Sequence, residues 1–198
     1  MFQPIALRRF ITATLVAVVV IPLIIVGVIV ALDAGAPFLP GDAFFPNQRW
    51  AENVHTARVT EASAYASRWL DLLERRIHNL AARTGTIHEE VAVAYVDEAL
   101  NAAVRAIAVA PLEAQPALYQ RLYALIDQWW AALANLTVLP AHNAAAYLNV
   151  LAKINALRAA SSAALGAATA AALNEIAGLP LGLTASTNSG GPAPTPIP

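Results

Sequence analysis

The sequence predicts an all-α protein: one N-terminal transmembrane helix followed by an extracytoplasmic antiparallel helical bundle of about four helices. Three observations carry that expectation. No residue from Phe10 to Leu32 is charged. Beyond Trp50, apolar residues recur at steps of three and four, the spacing of one helix face. Nowhere does a period-two alternation bounded by hairpin turns occur, as paired strands would require.

Composition points the same way. Hydrophobic residues make up 58% and charged residues 13% of 198 residues, and mean hydropathy is +0.55, more apolar than a soluble domain usually is. The length suits one span plus one domain with its own core. A net charge of -1 with scattered cations leaves no basic stripe for a phosphate backbone, so nucleic acid is not an expected partner. The chain has no cysteine, which excludes disulfides, thiolate nucleophiles and cysteine-bound zinc or iron–sulfur centres. Lys153 is the single lysine among 12 basic residues.

Residues 1–9 form a cytoplasmic N-terminus and 10–32 the transmembrane helix. The uncharged run of about 23 residues gives roughly 35 Å of helix, enough to cross a hydrocarbon core with some tilt. Arg8 and Arg9 precede it while Asp33 and Asp42 follow it, which places the N-terminus inside and the remainder outside. A cleaved signal would carry a shorter apolar region, and Pro37 follows the best small-residue site, Ala34-Gly35-Ala36, so an uncleaved anchor is expected. Pro22 removes one backbone donor within the span and predicts a mild kink.

Residues 33–46 are a connector built from Pro37, Pro40, Gly41, Pro46 and aromatics, stiffer than a Gly/Ser linker. Pro40-Gly41 predicts a tight turn in which glycine supplies the positive φ. Pro46 suits a first helical turn, where a missing N–H costs nothing, and Phe45 is expected to pack back on Trp50.

The bundle domain occupies 47–180. Trp50, Val54, Ala62, Tyr65, Trp69, Leu73, Ile77 and Leu80 define a first helical face that ends at Thr84-Gly85-Thr86. Thr86 and Glu89 have capping-box spacing, and Val93, Val96, Leu100, Val104 and Ile107 continue a second face to Pro111. A third helix opens near Pro111 or Pro116 and carries Leu118, Leu122, Leu125, Trp129, Leu133 and Leu136. Pro140 divides it from a fourth, from His142 towards Ala177, whose Ala-rich second half has too few large apolar residues for another span. Gly178-Leu179-Pro180 stops the pattern, and 181–198, rich in Pro, Gly, Ser and Thr, is expected to be a disordered tail. The expected core is Trp69, Leu73, Ile77, Leu100, Val104, Ile107, Leu122, Leu125, Trp129, Ile154 and Leu157.

Chemistry-bearing patterns are few. Glu52-Asn53-Val54-His55 is one Glu-x-x-His, the element that di-iron bundles use twice with two further glutamates. A single copy reads as an exposed helix face, with a metal-binding, ferritin-like four-helix protein as the alternative. His88-Glu89-Glu90 lacks a second histidine and reads as the acidic start of a helix. Glu74 with His78, and Asp71 with Arg75, have the spacing of ordinary surface pairs. Ser161 and Ser162 lack a glycine elbow, and no phosphate-binding glycine loop exists. The expectation is therefore no enzyme, no cofactor, no metal and no small-molecule substrate. Trp129 and Trp130 point about 100° apart on a helix, so one lies at an edge of the core face and Trp130 is a candidate partner contact.

Gly41-Asp42-Ala43-Phe44-Phe45-Pro46-Asn47-Gln48-Arg49, followed by a helix holding Leu73-Glu74-Arg75-Arg76-Ile77, resembles a bacterial domain family of unknown function. Its members read P-G-D-x-x-Y-P-x-K-R and then a helix with an E-R-R-L-like segment, often just outside a single span. The resemblance covers roughly Leu39 to Ala110; Phe45 replaces the usual tyrosine, and Asn47-Gln48-Arg49 is a loose match. It implies a helical fold, a membrane-proximal position and envelope-associated regulation, with no catalytic residue to carry over. Together the readings predict a membrane-anchored extracytoplasmic interaction or scaffold module. Its membrane-proximal collar is Gly41, Asp42, Phe44, Phe45, Pro46, Arg49 and Trp50, and its partners are the membrane and either another envelope protein or a second copy.

Overall fold

The computed structural model describes residues 18–31, 35, 38–162 and 167–183. Among the described residues all regular structure is helical, with no strand: α1 over 18–31, α2 Phe45–Thr56, α3 Ala62–Arg83, α4 Glu89–Ala108, α5 Gln115–Leu133, α6 Val138–His142, α7 Ala144–Ser162 and α8 Ala167–Ala177. Residues 1–17, 32 and 184–198, which hold the cytoplasmic segment, both ends of the expected span and most of the expected tail, lie outside the described residues.

The segment α1 continues through Pro22, and its large apolar side chains are exposed from Val18 to Val30 except at Ile29. Among the described residues, no helix is long and apolar enough to cross a membrane.

The remaining helices close around one core. Helix α3 packs on α4 and α5, α4 also on α5 and α8, and α7 on α5, α6 and α8. All eleven expected core residues are buried there, because their three- and four-residue spacing puts them on facing stripes. Pro116 sits in the first turn of α5 and Pro46 in that of α2, where neither breaks a backbone hydrogen bond. The α3–α4 turn carries Gly85 at φ 76, a left-handed position open to glycine without strain.

Two expected helices are each divided in two. The face drawn from Trp50 to Leu80 breaks after Thr56, and α3 restarts at Glu61, whose carboxylate accepts the N–H groups of Ser63 at 2.9 Å and Ala64 at 2.5 Å. That cap satisfies orphan donors of the new helix. The long fourth helix is likewise two helices. The α8 end returns beside α7, where Asn149 Nδ2 donates to the Leu181 carbonyl at 3.3 Å, and the reversal buries Leu173, Ala177 and Leu181. Four long helices, α3, α4, α5 and α7, thus make the bundle, with the shorter α2 and α8 packed on it. The short α6 contains Pro140 and opens over Glu89.

Candidate functional site: the collar

The collar begins with a reversal at Leu39-Pro40-Gly41-Asp42. Asp42 N donates to the Leu39 carbonyl at 2.9 Å, and Leu39 N donates back to Asp42 Oδ2 at 2.8 Å. Proline second and a positive-φ glycine third match a type II turn; Gly41 has φ 93. A Cβ on Gly41 would lie 2.3 Å from Nδ1 of His88, so the turn sits flush on the start of α4. The other Asp42 oxygen is paired with Arg83 at the end of α3. The Leu39 N–H first, with Arg83 and His88 adding to it, outweighs partial burial and holds the Asp42 carboxyl below the usual carboxylate value of 3.8.

A buried polar chain then ties α2 to α3. Phe38 N donates to Gln48 Oε1 at 2.9 Å, and Gln48 Nε2 donates to Glu52 Oε1 at 3.1 Å. Glu52 receives Arg75 Nη1 at 3.0 Å and pairs with Arg76 Nη2 through its other oxygen. Gln48 is fully buried and Glu52 is 1% exposed. A carboxylate so placed needs charged donors around it, and two guanidiniums supply them. The exposed-face reading of Glu52-x-x-His55 is therefore corrected: the carboxylate points inward and is committed to arginines. Among the described residues, no group of three or more His, Asp or Glu side chains could hold a metal ion.

Aromatic contacts complete the attachment. The Phe45 ring lies 4.8 Å from that of Tyr95 on α4, and Arg76 stacks over Phe45 at 5.0 Å, a cation–π distance. Arg49 lies over Tyr95 at 5.2 Å and pairs with Glu98 at 2.5 Å. The expected Phe45–Trp50 staple is corrected: Phe45 is buried against α4, whereas Trp50 is 54% exposed. Five positions on a helix turn the two side chains about 140° apart. Phe44 is 59% exposed, and its ring lies 5.5 Å from that of Phe38. Pro46 is exposed beside it.

The Gly41–Arg49 stretch and the Leu73–Ile77 stretch thus meet in space through Phe45 on Arg76, and Glu52, just beyond the first, pairs with Arg75 and Arg76. Sequence reasoning missed Gln48, Glu52, Arg83, His88 and Tyr95 as collar partners. Asp71 is exposed and Glu74 part-exposed, as expected of surface charges, and they share Arg121 of α5 at 2.7 and 2.9 Å, a partner that the spacing along α3 does not reveal. The recess beside the collar, lined by Arg49, Trp69, Arg76, Tyr95 and Glu98, holds about 10 Å³, room for a water molecule and far short of a small-molecule pocket.

Trp130 stands apart from the collar. Trp129 fills the core, while Trp130 is partly buried on the rim of α5 beneath Arg158, 5.2 Å away. Glu89, read as an ordinary helix opener, is fully buried. It accepts Gly85 N at 2.8 Å and the N–H groups of Val138 and Leu139 at 3.2 and 3.0 Å, so it closes the α3–α4 turn and seeds α6 together. No family model, curated protein or solved structure matches this chain.

Proposed function

We propose that the chain is a membrane-anchored, single-pass, extracytoplasmic interaction module whose collar fixes a helical bundle at a set angle to the bilayer. Residues 10–32 are the retained anchor, with Arg8 and Arg9 on the cytoplasmic side. The uncovered apolar surface of α1 supports this reading, since such a surface needs lipid or protein around it.

The observation that carries the proposal is the division of labour within the collar. Its side chains at Asp42, Phe45, Arg49 and Glu52 are spent on α3 and α4, and Gln48 links Glu52 back to Phe38. Phe44 and Trp50 are left facing outward. A plain spacer has no use for a buried Gln–Glu–Arg chain, whereas a surface that other envelope proteins must meet gains from being held rigid. The module is not an enzyme, takes no cofactor or small-molecule substrate, and acts by contact with a partner protein or a second copy.

Photoreactive amino acids placed at positions 44 and 130 of the full chain in its native membrane test this directly. Reproducible adducts to a partner or to a second copy are expected. A folded chain that gives none at either position contradicts the interaction reading.

A further inference from the structure

The single lysine of the chain lies in the core. Lys153 is 1% exposed, on α7, and its Nζ is 2.6 Å from Asp97 Oδ1 of α4. The same nitrogen is 3.3 Å from the side-chain oxygen of Asn101, one turn further along α4. Asp97 reaches both ends of the pair, because its Oδ2 accepts Asn101 Nδ2 at 3.2 Å. Nζ also meets the backbone carbonyls of Ala177 and, at 3.1 Å, Leu179, where α8 ends. An amine, a carboxamide and a carboxylate bridging them are thus assembled, with the amine buried and Asp97 still 15% exposed.

The choice of residue is informative. Every other basic residue among 12 is arginine, which holds its proton under all ordinary conditions, whereas a lysine can lose it when buried and become a nucleophile. Desolvation lowers the Lys153 pKa against the opposing pull of Asp97, and desolvation raises that of Asp97 against the pull of Lys153. Both directions narrow the gap between the two groups and ease proton transfer from the amine to the carboxylate.

We propose that Lys153 and Asn101 are joined by a self-generated isopeptide bond that ties α7 to α4, with Asp97 as the acid and base. Asp97 takes a proton from the Lys153 ammonium, and the freed Nζ lone pair adds to Cγ of Asn101. Asp97 then returns its proton to Nδ2 and removes one from Nζ as the tetrahedral centre collapses. The Cγ–Nδ2 bond breaks, ammonia leaves, and a secondary amide remains between Nζ and Cγ. One C–N bond forms and one breaks, nothing is oxidised or reduced, and no co-reactant is needed. Asp97 finishes protonated and gives that proton to the departing ammonia. The amide keeps one N–H, which the Ala177 carbonyl can accept. In a chain without cysteine, such a bond supplies the covalent staple that a disulfide would otherwise provide.

Intact-mass spectrometry of the full purified chain decides the matter. The expected mass is lower than the sequence mass by one ammonia, with a branched proteolytic peptide joining the Asn101 and Lys153 segments. Asn101→Ala, Asp97→Ala and Lys153→Arg should each restore the uncrosslinked mass. An unshifted mass in the wild-type chain overturns the proposal without recourse to any variant. A deficit of one water, from a Lys153–Asp97 bond, overturns the assignment of Asn101 as acceptor and Asp97 as catalyst.

Discussion

Replacing Glu52 with alanine removes the one carboxylate that answers Arg76 in the interior, and the collar's attachment to α3 should fail there first. Arg76 is buried and holds the second Glu52 oxygen, while Arg75, 3.0 Å from the first, is part-exposed and can rehydrate. Removing one partner of a buried ion pair costs about 3–5 kcal/mol. Because Arg76 is stranded and the buried Gln48 amide loses its acceptor as well, a loss of about 3–5 kcal/mol is expected. Glu52→Gln keeps an acceptor but loses the charge, and should cost about 2 kcal/mol, in the range of a charge-assisted hydrogen bond. Equilibrium urea unfolding of the full chain in detergent, followed by tryptophan fluorescence, measures both. A cycle with Arg76→Met should return a coupling of at least about 1 kcal/mol between directly contacting groups. A loss below about 1 kcal/mol for Glu52→Ala, the range of exposed pairs, would refute the argument that this network locks the collar.

Three further outcomes follow from the same geometry. Gly41→Ala forces a side chain into φ 93 and against His88 and should cost about 1–3 kcal/mol; His88→Ala should recover the part due to collision, and equal losses in both backgrounds would contradict the contact. Trp129→Ala should cost about 3–5 kcal/mol in the same unfolding assay, whereas Trp130→Ala, on the rim, should cost clearly less; equal losses would place Trp130 in the core. Asp42 has a folded-state pKa below 3.8, so its stabilisation is complete above that value and disappears as pH falls through the lower folded-state one. The stability gap between wild type and Asp42→Asn should therefore close in acid, and a gap independent of pH would contradict the attachment of Asp42 to Leu39 and Arg83.

The parts of the fold legible in the sequence are those written in local spacing. The eleven core residues, the Pro40-Gly41 turn and the stops at Gly85 and Gly178 depend on periodicity and on φ preferences, which neighbours in sequence reveal. The buried polar groups were not legible, because their partners are distant: Glu52 meets Arg76 24 positions away, and Glu89 meets Leu139 50 positions away. Each looks like a surface residue on a helix until its partner is known. The break before α3 was missed because its cap is a glutamate, outside the usual Ser, Thr, Asp and Asn. The Ala-rich stretch after Leu157 carried no apolar stripe to mark where α7 ends and α8 turns back. Of the collar, the sequence showed that residues around Gly41 and Phe45 were set apart, but the surface they dock on lies on α3 and α4.

The most direct test of the central claim, a retained anchor that presents this bundle outside the membrane, is protease treatment of intact bacterial spheroplasts carrying the full chain. Digestion of the bundle with survival of a short protected fragment holding residues 10–32 is the predicted result. Protection of the whole chain, accessible only after the membrane is opened, would contradict the account.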